Sequence, residues 1–264
     1  MNMNSEDCTV LVVSCDGYAD VVPPFEALWR KFWPDCPFTT VLLTETLPAE
    51  DGVFDRVVRT GPCLSWSRRV EQGLAQIATP YVLLLCNDYY LCSRVDTAQI
   101  LARLEQAKRL GAANLRLNPN PRPSQVFDPG LRLLAYRKNT AYCISTQAGF
   151  WDRSFLLGLL AKTDSAWEFE RQGSFLLADE PRPLLATMEK EFPFLDAVHK
   201  GCWDREGVAL CESNGIKLDF DARKLPSAGV RLKEWIKAVV FRLSPTLVTK
   251  TLNAISDLRR SDRR

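Results

Sequence analysis

The sequence predicts an α/β fold in which a mostly parallel sheet is flanked by helices and followed by a C-terminal helical extension. Short apolar runs alternate with helix-patterned segments over about the first 110 residues, as in folds that wrap helices around a parallel sheet. The runs that begin at Val10 and Tyr81 are almost wholly apolar, which is typical of strands buried on both faces. An apolar fraction of 46% and a charged fraction of 25% are ordinary for a folded globular protein.

The first elements follow in order from these patterns. The β-branched run at 10–14 predicts a buried strand, and Gly17 suits the turn that leaves it. A helix that ends before Pro34 is predicted by apolar residues at helical spacing, namely Phe25, Leu28, Trp29 and Phe32. Further strands are expected at 39–44 and, with a weaker signal, at 56–58.

The most apolar run of the chain, at 81–86, predicts the central strand. A helix that begins at Ser65 or Ser67 should precede it, and Asp96 and Gln99 have the spacing of a reciprocal helix cap after it. The second half is less regular. It predicts a proline-rich loop at 118–130, strands at 131–136 and 142–146, and helices at 153–160 and 166–172.

Around residue 227 the composition changes, and we divide the chain into a domain of residues 1–227 and a basic tail, 228–264. From Val230 to Arg264 nine basic residues face three acids, a net charge of +6, whereas the remainder carries −4. The apolar stripe beside these cations predicts a helix lying in the interface of an anionic membrane. Packing on the preceding domain is an alternative, as is binding of a nucleic-acid backbone, which no DNA-reading motif supports.

The nine cysteines predict a reducing cytosol rather than a disulfide framework, because their number is odd and none forms a CxxC pair. No secretory signal is seen, and no apolar run approaches the ~18–20 residues that cross a bilayer. We therefore expect a cytoplasmic protein that associates peripherally with the inner face of the membrane through its tail. With a single histidine, His199, a zinc cluster is not expected.

Polar residues follow three of the predicted strands: Ser14 and Asp16, Thr44 and Glu45, and Asn87 and Asp88. Ligands of open α/β sheets bind beyond the carboxyl ends of the strands. A carboxylate directly after a buried strand is held rigidly there and can ligate Mg²⁺ or Mn²⁺ between diphosphate oxygens. The alternative is that Asn87 and Asp88 only form a strand-terminal turn or helix cap.

Other phosphate-binding signatures are missing from the sequence. Neither the P-loop nor the GxGxxG dinucleotide motif occurs. A nucleotidyltransferase would need a glycine-rich, basic first loop, and residues 14–17 contain one glycine and no basic residue. With His199 as the one possible histidine base, a Ser-His-Asp or Cys-His arrangement has no supporting motif.

Several segments together resemble bacterial GT-A-type glycosyltransferases of the capsule and lipopolysaccharide kind. These are Ser14-Cys-Asp-Gly-Tyr18 with Pro24-Phe25 and Trp33-Pro34, Trp66-Ser-Arg-Arg69, the run 81–91, Gln147-Ala-Gly-Phe-Trp151, and 167–173. The resemblance covers most of residues 9–225. It implies a GT-A-like (Rossmann-like) catalytic domain that uses a nucleotide-sugar donor.

Carried over by position, the resemblance implies roles for the residues at the strand ends. Ser14 and Asp16 would line the nucleoside pocket, and Arg68 would lie near the ribose or phosphates. Thr44, Glu45 and Trp66 are the further donor-binding candidates, and Lys200 would balance the phosphate charge. Asp88 would be the metal residue of a DxD-like element in which Asn87 replaces an acid. His199 could complete the shell of a Mn²⁺ or Mg²⁺ ion, although an ordinary surface histidine is the alternative.

The resemblance also implies a catalytic carboxylate near the start of a helix, which takes the acceptor's proton in an inverting transfer. Glu168 and Glu170 are the candidates. They lie about 200° apart around a helix, so both are not expected to face one site. Ser165 and Glu168 also have the spacing of a capping box, which gives Glu168 a structural alternative. Trp167 could stack on a sugar ring or pack in the core.

The expected function is therefore transfer of a hexose-like sugar from a nucleotide diphosphate to a hydroxyl of a surface glycan or lipid-linked acceptor. One alternative acceptor is a hydroxymethylated DNA base. Another alternative is a non-catalytic membrane-associated binding protein whose working part is the tail.

Overall fold

A computed structural model describes residues 6–47, 52–177 and 179–226 of the chain. The predicted basic tail, 228–264, lies outside these residues, so its helical and membrane-binding character stays a prediction. No helix in the described ranges is both long enough and apolar enough to cross a membrane.

The described residues form one large sheet, two short two-stranded sheets and six α-helices. The large sheet contains β1 (Cys8–Val13), β2 (Thr39–Thr44), β3 (Arg56–Arg59), β4 (Tyr81–Cys86), β6 (Asn114–Arg116), β7 (Gln125–Asp128), β8 (Leu133–Ala135), β9 (Gly149–Asp152) and β10 (Leu184–Thr187). The short sheets pair β5 (Tyr89–Leu91) with β11 (Phe194–Asp196), and β12 (Val198–His199) with β13 (Cys202–Trp203). The helices are α1 (Val22–Phe32), α2 (Trp66–Ala75), α3 (Thr97–Arg109), α4 (Arg153–Leu160), α5 (Ala166–Arg171) and α6 (Arg205–Ser213).

The order of the large sheet is β3-β2-β1-β4-β9-β6-β10-β8-β7. Strands β3, β2, β1 and β4 are parallel neighbours, and β9 runs antiparallel between β4 and β6. Strand β8 is the other strand of this sheet that runs against the majority direction. The predicted mostly parallel sheet flanked by helices is therefore confirmed, with β4 near its centre.

Alternate residues of the buried strands pack into two hydrophobic layers, one on each face of the sheet. In β1, Val10 and Val12 pack with α1 and α3, whereas Leu11 and Val13 pack with α2 and α4. Because both faces are covered, every residue of β1 is apolar or small, which explains the continuous apolar run in the sequence.

One predicted strand, 142–146, does not form, and a short strand appears within the predicted loop at 118–130. The carbonyls of Tyr142 and Cys143 accept hydrogen bonds from the buried Arg116 guanidinium, at 3.0 and 2.6 Å. Tyr142 has a φ of 60°, which is incompatible with an extended strand. The loop instead contributes β7, which pairs with β8 at the edge of the sheet.

Two local sequence signals have a clear structural cause. Asp96 caps α3 by accepting a hydrogen bond from Gln99 N at 3.0 Å, but the Gln99 side chain bonds to Glu191 instead of returning to the cap. The predicted reciprocal cap is therefore only half formed. At Gly149, a Cβ atom would lie 2.9 Å from the Leu115 carbonyl oxygen, so only glycine lets β9 approach β6 this closely.

Candidate functional site

The carboxyl ends of β1, β2 and β4 lie side by side at one edge of the sheet. The Ser14 N–H donates to the Leu43 carbonyl at 2.8 Å, and the Asn87 N–H donates to the Val13 carbonyl at 3.2 Å. These bonds continue the parallel ladders one residue beyond the strands. The polar residues predicted to follow these three strands therefore share the edge at which open sheets bind ligands.

An ion pair between Glu45 and Arg69 joins the ends of β1 and β2. Arg69 also donates from Nη1 to the Ser14 carbonyl at 3.1 Å, and Glu45 Oε2 accepts from the Asp16 N–H at 2.8 Å. Both side chains are largely buried. The pair therefore fixes the backbone of residues 14–16, where a donor would lie.

The predicted donor residue Arg68 lies outside this network. Its side chain is half exposed and pairs with Glu71 at 2.6 Å on the same helix. Successive residues of an α-helix point about 100° apart, so Arg68 cannot share the inward direction of Arg69. The cation at the strand ends is Arg69, which the sequence analysis did not select.

Of the other predicted donor residues on this side, Asp16 and Trp66 are held by structural contacts, and the Thr44 hydroxyl is not held by any described residue. The Asp16 carboxylate accepts hydrogen bonds from the N–H and the hydroxyl of Thr46, which lower the pKa of Asp16. Trp66 packs against the Phe169 ring at a centroid distance of 5.3 Å. Thr44 Oγ1 is buried and has no hydrogen-bond partner within the described part of the chain.

Asp88 follows β4 and is brought next to Asp196 by the short sheet of β5 and β11. The Ala197 N–H donates to the Asp88 carbonyl at 2.8 Å, and Asp196 is the register partner of Tyr89. Asn87 is buried, and its Nδ2 donates to the Tyr18 carbonyl at 3.2 Å. The second acid near Asp88 is therefore Asp196, from a distant part of the sequence.

Both carboxyl groups have raised pKa values. Burial and, to a smaller extent, the negative charge of Asp196 raise the pKa of Asp88 to about 7, while the positive charge of Arg223 acts in the opposite direction. Partial desolvation also raises the pKa of Asp196, against the positive charges of Lys190 and His199. A divalent cation placed near these two carboxyl groups would favour their ionised forms.

The predicted metal residues do not form a complete ligand shell by themselves. Among residues 6–47, 52–177 and 179–226, no three His, Cys, Asp or Glu side chains cluster closely enough to hold a metal ion. His199 and Lys200 are exposed residues at the turn between β12 and β13. Asp88 and Asp196 are the carboxylates that would hold a Mg²⁺ or Mn²⁺ ion here, because Mg²⁺ commonly takes one or two carboxylates and completes its shell with water and substrate phosphates.

The two candidate bases have different surroundings. Glu168 Oε2 accepts from the Asp164 N–H at 3.1 Å, and the Glu168 N–H donates to the Ser165 hydroxyl at 3.2 Å, so Glu168 caps α5. Glu170 Oε1 accepts from the Ser145 hydroxyl and from the Thr146 N–H and hydroxyl, at 2.8, 2.8 and 2.9 Å. In the described part of the chain, no donor contacts Glu170 Oε2.

Glu170, but not Glu168, is connected to the end of β4. The Tyr89 hydroxyl donates at 3.3 Å to the carbonyl of Thr146, the residue that holds Glu170. Burial raises the pKa of the Cys86 thiol, and the charges of Asp88, Glu170 and Asp196 all raise it further. Three carboxylates therefore lie within electrostatic reach of the last residue of β4.

Arg223 is a site residue that sequence reasoning missed. Its guanidinium makes two hydrogen bonds to the Asp20 carboxylate, both at 2.9 Å, and one to the Gly17 carbonyl at 2.8 Å. It also lies 4.5 Å from the centroid of the Tyr18 ring. A single arginine after the last helix carries no sequence signal, because its partners come from the opposite end of the chain. Trp167, by contrast, is 72% exposed, so the core-packing alternative for it is wrong.

A cleft of about 510 Å³ opens beside Asp196. Its lining comes from the loop after β6, the approach to β9, the segment around β11, and α6. The residues are Asn118, Pro119, Asn120, Arg122, Gln147, Met188, Glu189, Lys190, Phe194, Leu195, Asp196 and Glu206. A second cleft, of about 340 Å³, lies against α4 and contains none of the predicted site residues.

No protein-family model and no curated protein matches the chain. Solved structures that it is similar to include a cytidylyltransferase from Leptospira borgpetersenii serovar Hardjo-bovis, at 11% identity and a TM-score of 0.44, over 79% of this chain and 95% of that one. They also include S. aureus TarS 1–349, at 11% identity and a TM-score of 0.42, over 69% of this chain and 60% of that one. TarS 1–349 in complex with UDP-GlcNAc matches at 9% identity and a TM-score of 0.40, over 78% of this chain and 65% of that one. At these values the similarity assigns no activity to this chain.

Proposed function

We propose that this chain is a glycosyltransferase that moves a hexose-like sugar from a nucleotide diphosphate to a hydroxyl of a surface glycan or lipid-linked acceptor. The observation that carries the proposal is the Asp88–Asp196 carboxylate pair at the end of the central strand β4. The pyrophosphate of a nucleotide sugar carries two negative charges. It can lie beside two carboxylates only if a cation lies between them. A Mg²⁺ or Mn²⁺ ion held by these two carboxylates would neutralise the leaving diphosphate.

The network around Glu45 and Arg69 supports a nucleoside-binding role for the neighbouring edge. It holds the Ser14 carbonyl and the Asp16 N–H in fixed positions, and therefore fixes the loop that follows β1. A preorganised loop costs little conformational entropy when a ligand binds. In this proposal Ser14, Asp16 and Thr44 border the nucleoside.

Glu170 is the proposed general base of an inverting transfer. Three donors anchor its Oε1, so the carboxylate has a fixed orientation and can use Oε2 to accept a proton. The acceptor hydroxyl would lose its proton to Glu170 as its oxygen bonds to the anomeric carbon and the bond to the diphosphate breaks. Glu168 is assigned to helix capping.

The proposal is tested by a donor screen with UDP-, GDP- and TDP-sugars, each with and without Mn²⁺. A donor at 100 times its dissociation constant stabilises the folded protein by about 2.7 kcal/mol, a rise of roughly 5–10 °C in Tm for a chain of this size. The accompanying assay measures release of the nucleoside diphosphate. If none of these donors shifts Tm or is turned over, the proposed function is wrong.

The membrane partner stays a separate part of the proposal, because it depends on the tail outside the described residues. A segment with a net charge of +6 should bind anionic vesicles in a salt-sensitive way. Co-sedimentation with vesicles of 30 mol% phosphatidylserine, at about 50 and 300 mM salt, measures this directly. Equal binding to neutral phosphatidylcholine vesicles would contradict the electrostatic attachment.

A further inference from the structure

We infer that the cleft beside Asp196 is the acceptor site and that it accepts the ring of an uncharged sugar rather than a nucleic acid. This inference rests on the proposed glycosyltransferase function and specifies its acceptor class. It narrows the acceptor to a carbohydrate, and it excludes the alternative of a hydroxymethylated DNA base.

The position of the cleft is the first argument. Asp196 lines the cleft and also neighbours Asp88 through the pairing of β11 with β5. Gln147, on another part of the lining, directly follows Thr146, the residue that holds the proposed base Glu170. The cleft therefore lies beside residues that neighbour both the proposed donor side, through Asp196, and the proposed base, through Gln147.

The size and shape of the cleft are the second argument. Its volume of about 510 Å³ lies within the range of sites for small organic molecules. Its walls are tied together, since the Glu191 N–H donates to the Leu117 carbonyl at 2.8 Å and the Phe192 N–H donates to Asn118 Oδ1 at 3.3 Å. The cleft is therefore a formed feature of the fold and needs no large rearrangement to admit a ring.

The chemistry of the lining is the third argument. Asn120 and Gln147 present amide groups, which both donate and accept hydrogen bonds, as sugar hydroxyls do. A nucleic-acid site needs a surplus of free cations for the phosphates. The lining of this cleft has two cationic side chains and three carboxylates, those of Glu189, Asp196 and Glu206. Both cations donate hydrogen bonds to main-chain carbonyls, Arg122 to that of Met188 and Lys190 to that of Phe194. The lining has no such surplus.

The test uses the full-length protein with whichever nucleotide sugar it turns over. The acceptor probes are p-nitrophenyl α- and β-hexosides and a DNA duplex that contains 5-hydroxymethylcytosine. Chromatography and mass spectrometry detect the glycosylated product. We expect transfer to at least one hexoside and none to the duplex.

Matched variants test whether residues of the cleft bind the hexoside acceptor. Gln147→Ala should raise the KM for the hexoside about tenfold, as expected for loss of one or two hydrogen bonds, with the dissociation constant for the donor unchanged. Gln125→Ala, which removes an exposed amide from β7 outside the cleft, should leave transfer unchanged. Glu206→Gln changes another wall of the cleft, the one formed by α6. Its KM for the hexoside tests the cleft independently if Gln147→Ala has a local folding defect.

The possible failures are distinguishable. Transfer to the DNA duplex, or donor turnover without transfer to any hexoside, would overturn this inference and leave the glycosyltransferase proposal standing. Equal hexoside KM values for the wild type and for both Gln147→Ala and Glu206→Gln would also overturn it. Absence of donor binding and turnover would refute the proposed function, and this inference with it.

Discussion

Asp88, which follows β4, and Asp196 are neighbours across the pairing of β5 with β11, although they come from distant parts of the chain. The pairing of β5 with β11 brings them together, and the hydrogen bond from the Ala197 N–H to the Asp88 carbonyl fixes their separation along the backbone. Asp88 provides the acid that the sequence places after a buried strand. In the proposed site Asp196 is the second acid, because Asn87 carries no charge.

This pair predicts that the stability of the metal-free protein depends on pH. The pKa of Asp88 is raised to about 7 in the folded state, whereas an unfolded aspartate titrates near ~3.9. Between these values the folded state retains a proton that the unfolded chain has released. The free energy of unfolding should therefore fall as the pH rises through this window, by up to roughly 4 kcal/mol.

Urea denaturation of the wild type and of Asp88→Asn, at pH 5 and pH 8 with EDTA, isolates this effect. Asparagine resembles the protonated acid, so the variant should be about as stable as the wild type at pH 5 and more stable at pH 8. Identical pH dependence in both proteins would show that Asp88 titrates normally.

A second prediction separates the two candidate bases. Glu170→Gln should lower kcat by about 10²–10⁴, because an amide cannot take the acceptor's proton. Glu168→Gln is the matched control on the same helix, since glutamine preserves a capping box. Its kcat should stay within a few-fold of the wild type. A large loss in Glu168→Gln with an active Glu170→Gln would reverse the assignment.

A third prediction concerns the neighbouring arginines of α2. Arg69→Ala leaves Glu45 largely buried without its partner and should cost about 3–5 kcal/mol of stability. Arg68→Ala removes a half-exposed pair with Glu71 and should change stability by less than about 1 kcal/mol. Urea midpoints measure both. Similar midpoints for the two variants would contradict the network that joins β1 and β2.

The first half of the fold was predictable because its strands are local and continuous. Residues 10–14, 39–44 and 81–86 each combine strand length with mostly apolar or β-branched residues, and the structure has strands there. The segment at 142–146 also contains β-branched and aromatic residues, but it does not form a strand. It wraps the buried guanidinium of Arg116, a long-range contact without a local signature.

The site was predictable in part, and for the same reason. Asp88 could be selected because a carboxylate directly after a buried strand has a defined position in any parallel sheet. Asp196 and Arg223 could not, because strand pairing and tertiary contacts alone bring them near Asp88. The choice of Arg68 over Arg69 shows a further limit. The sequence pattern locates the first turn of α2. Which of the two arginines points inward depends on the position of its partner, Glu45, which the pattern does not show.

The most direct test of the central claim is Mn²⁺-dependent release of nucleoside diphosphate from the preferred nucleotide sugar by wild type and Asp88→Ala. Loss of the proposed metal residue should reduce turnover at least about 100-fold while the circular dichroism spectrum stays unchanged. Asp179→Ala, at an exposed aspartate of the other cleft, is the matched control and should retain full turnover. Undiminished turnover in Asp88→Ala would contradict the account.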